Sequence, residues 1–267
     1  MSLTPVVLPD ADAVGASVAG VVLRRLDEAG DRPFLLGCPS GRSALPVYQS
    51  LARAARTGAD LSSVVVVLMD DYLTGADDHP VRVDVDRSFS CVGFAQREIL
   101  APIERACASA GTTAPTEIWA PDPADPAAYD DRIAAAGGID LFLLASGASD
   151  GHIAFNQPGT PRAAGTHVVR LGEATRRDNM GTFPEFTELS MVPTRGVTVG
   201  IDTIASLSRE VAMLVCGEHK RDAFRRLVAA DGYEPDWPAT IVAECRDATI
   251  YADRAAASSW PSASLPS

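Results

Sequence analysis

The sequence has little that would suit a membrane, a nucleic acid or a bound metal. No apolar run approaches the roughly 20 residues that a bilayer crossing needs. Positive charge is in deficit: 23 Lys and Arg stand against 35 Asp and Glu, a net charge of −12. A nucleic-acid or membrane-surface binder presents a basic face, so neither is an expected partner. A small anion remains an expected ligand class, because a local pocket can be positive on an acidic protein. The five cysteines (Cys38, Cys91, Cys107, Cys216, Cys245) form no CxxC pair, and the four histidines are dispersed. No zinc site, other metal site or disulfide framework is expected, and inert thiols of a cytoplasmic protein fit this pattern. Residues Met1 to Asp10 lack a basic region followed by an apolar one, so no secretory signal is expected.

What is present is a chain of 267 residues with 46% hydrophobic and 22% charged residues, enough for a sizeable core. Val14, Val18, Val22 and Leu26 mark one face of an amphipathic helix that stops at Gly30. Pro33 to Gly37, Ser63 to Met69 and Ile139 to Ala145 are short apolar runs that read as buried strands, and Val197 to Gly200 and Val211 to Val215 as later ones. Ser43 to Thr57 (Pro46 in its first turn), Ser88 to Leu100, Ala127 to Ala136 and Lys220 to Ala230 read as helices. Ala110 to Pro126 reads as a connection. Strands alternating with helices predict an α/β fold, a mainly parallel, Rossmann-like sheet flanked by helices, in one catalytic domain over residues 1–253. The Ala/Ser/Pro-rich residues 254–267 read as a poorly ordered tail.

In such sheets sites lie beyond the carboxyl ends of the strands. Three of those places are unusual. Gly37-Cys38-Pro39-Ser40-Gly41-Arg42-Ser43 allows close backbone approach at a helix start, which suits a phosphate. The plain alternative is a glycine-rich turn with Ser43 as the helix cap. Asp70 and Asp71 follow the Val-rich strand, and a carboxylate there is a candidate general base. Neighbours on an extended chain point to opposite faces, so only one of the two enters a given pocket. The third place runs from Ser146 to Pro158 and carries Asp150 two residues before His152, spacing that lets the carboxylate orient the imidazole. Gly151 and the upstream glycine allow close approach of a ligand. Lys220, after the strand Val211 to Val215, is a candidate anion contact or an ordinary helix-start lysine.

In order and spacing these segments resemble the glucosamine-6-phosphate deaminase family, within the wider sugar-phosphate isomerase group that also holds 6-phosphogluconolactonases. The most specific is Asp150-Gly151-His152-Ile153-Ala154-Phe155-Asn156, where lactonases typically carry Thr-Ala-Ser-Leu-Phe after the histidine. Met69-Asp70-Asp71-Tyr72 is similar to the family's Met-Asp-Glu-Tyr, and Gly37 to Ser43 to its phosphate loop. The resemblance implies the fold above with a lid over about 159–186, whose glycines would hinge a polar cover. It implies ring opening by His152, held by Asp150, and proton transfer between C1 and C2 by Asp70. It implies a hexosamine 6-phosphate or related sugar phosphate as substrate, bound by Ser40, Gly41, Arg42, Ser43 and Lys220, without metal or organic cofactor. Family members often form homo-oligomers, so self-association is a further expectation.

Several positions depart from the family pattern. Gln157 stands where the deaminases have a Glu that forms a unit with the Asp and His, and an amide carries no charge. Arg42 and Ala148 replace glycines, Thr160-Pro161 replaces paired serines near the phosphate, and His167 stands near a family arginine, while Arg176 matches one. Clustered in the active site, these changes imply altered specificity. The alternatives are a sugar lactonase, in which His152 activates water, and a non-catalytic sugar-phosphate-binding protein.

Overall fold

The computed structural model describes residues 3–258 and 260. The strands are β1 (Val6–Leu8), β2 (Phe34–Cys38), β3 (Val64–Leu68), β4 (Asp70–Ala76), β5 (His79–Arg82), β6 (Glu117–Trp119), β7 (Leu141–Ala145), β8 (His167–Arg170), β9 (Arg195–Thr198), β10 (Val211–Val215) and β11 (Ala248–Asp253). The helices are α1 (Ala11–Ala29), α2 (Leu45–Arg56), α3 (Cys91–Phe94), α4 (Ala101–Ala110), α5 (Ala127–Ala135), α6 (Glu173–Met180), α7 (Ile201–Leu207) and α8 (Arg221–Ala229).

Seven strands form one parallel sheet in the order β1-β11-β10-β7-β2-β3-β6. Helices cover both faces, and side-chain alternation sorts the core accordingly. Phe34, Leu36, Val64 and Val66 pack with α1, α2 and α4, whereas Leu35, Val65 and Val67 pack with α5, α7 and α8. Burial on both faces is why β2 and β3 are apolar without interruption. At about 1.5–3 kcal/mol for each fully buried aliphatic side chain, this layer is the main source of stability. Asp10 caps α1 by accepting from Ala13 N at 2.8 Å, and Val14, Val18, Val22 and Leu26 are buried.

A second, antiparallel sheet has the order β5-β4-β9-β8. Only β9 of it was legible in the sequence, read as Val197 to Gly200; it spans Arg195–Thr198, and Gly200 instead caps α7. After β3 the chain does not enter a loop: it passes through Met69 directly into β4, and Asp70 pairs with Thr198 of β9. Tyr72 of β4 is the centre of an aromatic cluster, with ring centroids 4.9 Å from Phe155, 5.6 Å from Phe89, 6.1 Å from Phe186 and 6.2 Å from Phe183.

Several expectations are corrected. The helix expected from Ser88 starts at Cys91, because Ser90 is its cap and accepts from Gly93 N. It then widens into a π turn over 95–100, before Pro102, which has no N–H to give, and continues as α4 to Ala110. The connection expected over 110–126 contains β6. Ser43 lies inside a 3-10 turn and caps nothing. Residues 254–258 are not a loose tail: Ala256 and Ala257 are buried, and Asp253 accepts from Ala256 N at 2.8 Å. Residues 259 and 261–267 lie outside the described residues. The segment 159–186 is not simply polar, since β8 joins it to the second sheet and Phe183 and Phe186 bury against Tyr72.

Candidate active site

A cavity of about 450 Å3 opens beyond the carboxyl ends of β2, β3, β7 and β10, within the size range of small-molecule sites. Ser40, Gly41, Arg42, Ser43, Asp70, His152 and Lys220 all line it. They come from four separate loops or strand ends, brought together because the parallel strands point the same way.

Asp70 is the first residue of β4 and is buried. Burial pushes its carboxyl from the ordinary 3.8 up to about 7; the Cys91 thiol, donating to Oδ1 at 3.4 Å, opposes that rise, and the charge of Asp71 adds to it. Asp71 points the other way, as strand alternation requires. It accepts from Tyr72 N and Cys91 N, each at 2.9 Å, so it ties β4 to the start of α3 and does not line the cavity. Burial raises its affinity for a proton too.

His152 sits in the turn after β7. Its Nδ1 lies 2.7 Å from Asp150 Oδ1. Burial would raise the Asp150 carboxyl, but the hydrogen bond and charge of His152 outweigh it and hold the group below the usual range. The glycines on either side make room for protein rather than for ligand. A Cβ on Gly147 would lie 2.2 Å from His152 Nδ1, and one on Gly151 (φ +65) would lie 2.3 Å from the Trp237 ring. Asn156 closes the turn, its Nδ2 donating to Ile153 O at 3.0 Å and Val199 O at 2.7 Å. Ala154, between them, is held at φ 50 and lines the cavity, the kind of backbone strain that accumulates at sites.

Lys220 is the chain's single lysine. Its Nζ donates to Ser146 O, and burial lowers its hold on its proton while Asp178 acts in the opposite sense. A buried ammonium of this kind favours an incoming anion. Burial, then the nearby Lys220 and Arg42, likewise lower His219, which also lines the cavity.

Four expected site residues lie elsewhere. Gln157 donates from Nε2 to Arg170 O at 3.1 Å. Thr160 closes a turn, Oγ1 donating to Gln157 O while its carbonyl accepts from Tyr233. His167 is on β8 with Nδ1 2.8 Å from Gly165 O. Arg176 donates to Leu189 O and Val192 O, fastening α6 to the chain before β9. None of these four, nor Pro161, lines the cavity. The departures from the family pattern are therefore not gathered at the site; Arg42 and Ala148 are those that face it.

The cavity also holds residues that spacing did not suggest: Cys91, Asp253, and Asp178, Asn179, Thr182 and Phe183 from the segment containing α6. They are distant in the chain, and nothing in their local sequence marks them. Tyr72 and Asn179 line the same space, with the Tyr72 hydroxyl and Asn179 Nδ2 both buried. Among the described residues, Asp150, His152 and Asp178 bring two carboxylate oxygens and a ring nitrogen within 4.8 Å of one another, close enough for a metal, although the His152 Nδ1 contact is that of an imidazole–carboxylate pair.

A parallel α/β sheet whose strand ends carry a perturbed carboxylate, an imidazole–carboxylate pair and a buried ammonium defines a protein with the groups for proton transfer beside a bound anion. The chain belongs to the family of glucosamine-6-phosphate isomerases and 6-phosphogluconolactonases, which matches residues 9–251. It is 35% identical over 234 residues to a glucosamine-6-phosphate deaminase of Exiguobacterium, covering 86% of this chain and 82% of that one. It is 36% identical over 256 residues to the Pseudarthrobacter chlorophenolicus deaminase, covering 95% and 91%. The solved structure of a monomeric glucosamine-6-phosphate deaminase superposes with a TM-score of 0.81 at 26% identity, covering 97% of this chain and 99% of that one. A 6-phosphogluconolactonase from Leishmania guyanensis shares the fold, with a TM-score of 0.69 at 16% identity and coverage of 98% and 100%. Among the described residues no helix is long and apolar enough to cross a membrane.

Proposed function

We propose that this protein deaminates and isomerises a hexosamine 6-phosphate, glucosamine 6-phosphate being the first candidate. The observation that carries the reading is the shared cavity: a carboxylate held near neutrality, Asp70, lies in the same space as Lys220 and His152, which Asp150 holds from behind the lining. Lys220, Arg42 and the Ser40 to Ser43 backbone take the phosphate and so fix where the far end of the sugar lies. His152 passes a proton to the ring oxygen as the C1–O5 bond opens. Asp70 takes the C2 proton as O1 is protonated to give the enolamine, then returns its proton to C1 as the amino group gives one up, leaving an imine that water hydrolyses to ketose phosphate and ammonia. A base of about pKa 7 is half ionised at neutral pH, which suits both giving and taking a proton. The names of the 35%-identical relatives support the same reaction.

The segment 159–186 serves in this reading as a lid, because α6 and the residues after it wall the cavity while Phe183 and Phe186 anchor them to Tyr72. Arg42, an added cation at the phosphate end, is the position most suited to changing which phosphate ester is preferred. The test is incubation with glucosamine 6-phosphate and assay of both products. Equimolar ammonia and fructose 6-phosphate are expected. Hydrolysis of 6-phosphogluconolactone without any ammonia release would contradict the reading.

A further inference from the structure

We propose that Asp178 is a positioning residue for ring opening, its carboxylate acting with that of Asp150 to orient His152 toward the sugar ring oxygen. This rests on the reaction proposed above. Asp178 comes from α6, distant in the chain from the loop after β7, yet it reaches the pair formed there. One of its oxygens, one of Asp150 and a ring nitrogen of His152 lie within 4.8 Å of one another. Ala148 N donates to Asp178 Oδ2 at 3.4 Å, which links α6 to the same loop.

The charges around His152 give this second carboxylate its role. Asp150 sits on the histidine's own loop and takes Nδ1. Lys220 and His219 enter from the turn after β10, Arg42 from the turn after β2, and Asp70 with Cys91 from the second sheet and α3. A protonated imidazole shares this cavity with the cations Lys220 and Arg42 and with the carboxylates of Asp70, Asp178 and Asp253; of these carboxylates it is Asp178 that joins Asp150 within 4.8 Å of the ring nitrogen. Asp178 is close enough to Lys220 for its charge to favour the ammonium, so one carboxylate serves both the cation and the imidazole. Gln157, from the same loop as His152, is neutral and spends its amide on Arg170 O. In the step itself the C1–O5 bond breaks with its electron pair going to O5, O5 takes the imidazolium proton, and the anomeric hydroxyl releases its proton to solvent water as C1 becomes the aldehyde, so one proton enters the sugar and one leaves it.

The test reads ring opening apart from deamination: anomerisation of glucose 6-phosphate by NMR magnetisation exchange, in the parent protein, Asp178→Asn and Asp178→Glu, with melting temperatures to show that each is folded. Asp178→Asn is expected to lose about tenfold or more of the catalysed anomerisation rate at saturating sugar phosphate, with KM little changed. Asp178→Glu is expected to restore most of the rate. Folded Asp178→Asn with the parent's rate overturns the inference. So does a loss confined to a raised KM, which would make Asp178 a lid contact only. A parent that releases ammonia from glucosamine 6-phosphate but does not speed anomerisation refutes this inference and leaves the proposed function standing. A parent that does neither refutes both.

Discussion

Asp70 carries a consequence beyond catalysis. The folded chain holds its proton up to about pH 7, whereas an ordinary aspartate releases it near 3.8. The folded state therefore binds more protons between those values, and stability falls as pH rises through that window, with the full penalty present above it. Asp70→Asn removes the penalty. Its unfolding free energy at pH 8 should exceed the parent's by about 2–4 kcal/mol, with a smaller gain at pH 5, in urea melts at the two pH values. The same variant should lose turnover by about a thousandfold or more while still binding the phosphate ester. Equal stability gains at both pH values would mean that the carboxylate is not held protonated. At this scale the sequence was informative where one residue stands at a strand end. Asp70, His152 and Lys220 were legible there, and alternation along an extended chain correctly separated Asp70 from Asp71. It was uninformative for Asp178, because nothing local to Arg176-Arg177-Asp178-Asn179 says that α6 folds back over the cavity. Arg176 looked functional because it matches a family arginine, but its Nη2 donates to the carbonyls of Leu189 and Val192 and it does not line the cavity.

Among the elements, the parallel strands were the easiest to read, since burial on both faces makes them continuous apolar runs. Val211–Val215 is the expected strand residue for residue. Apart from β9, the second sheet was hidden for the converse reason. Its strands β5 and β8 are short and half exposed, so they carry no apolar run, and β4 begins with two carboxylates. The segment 159–186 is held to this sheet by the pairing of β8 with β9 and, beyond α6, by the aromatic cluster around Tyr72. Phe183→Ala should then destabilise the protein by about 3 kcal/mol, the usual scale for removing a buried ring. It should also raise KM for the sugar phosphate more than it lowers kcat, because Phe183 lines the cavity as well as the cluster. Thermal melts and steady-state kinetics on the one variant check both. Unchanged stability would show that the segment is not anchored there.

For the molecule as a whole, an acidic chain with a net charge of −12 still brings Lys220, Arg42 and the N-terminal end of α2 together at one cavity. Parallel strands ending at one edge are what make that meeting possible, and the second sheet and α6 close it over. The central claim is that Asp70 and His152 act on neighbouring atoms of one sugar held by its phosphate. The most direct measurement uses glucosamine 6-phosphate deuterated at C2 and follows the label into the ketose phosphate by NMR. A single carboxylate carrying the hydrogen from C2 to C1 predicts deuterium at C1 of the product in the parent protein, in amounts above solvent exchange, and none formed by Asp70→Asn. Ketose phosphate and ammonia appearing at the parent's rate from Asp70→Asn, with the label still transferred, would contradict the account.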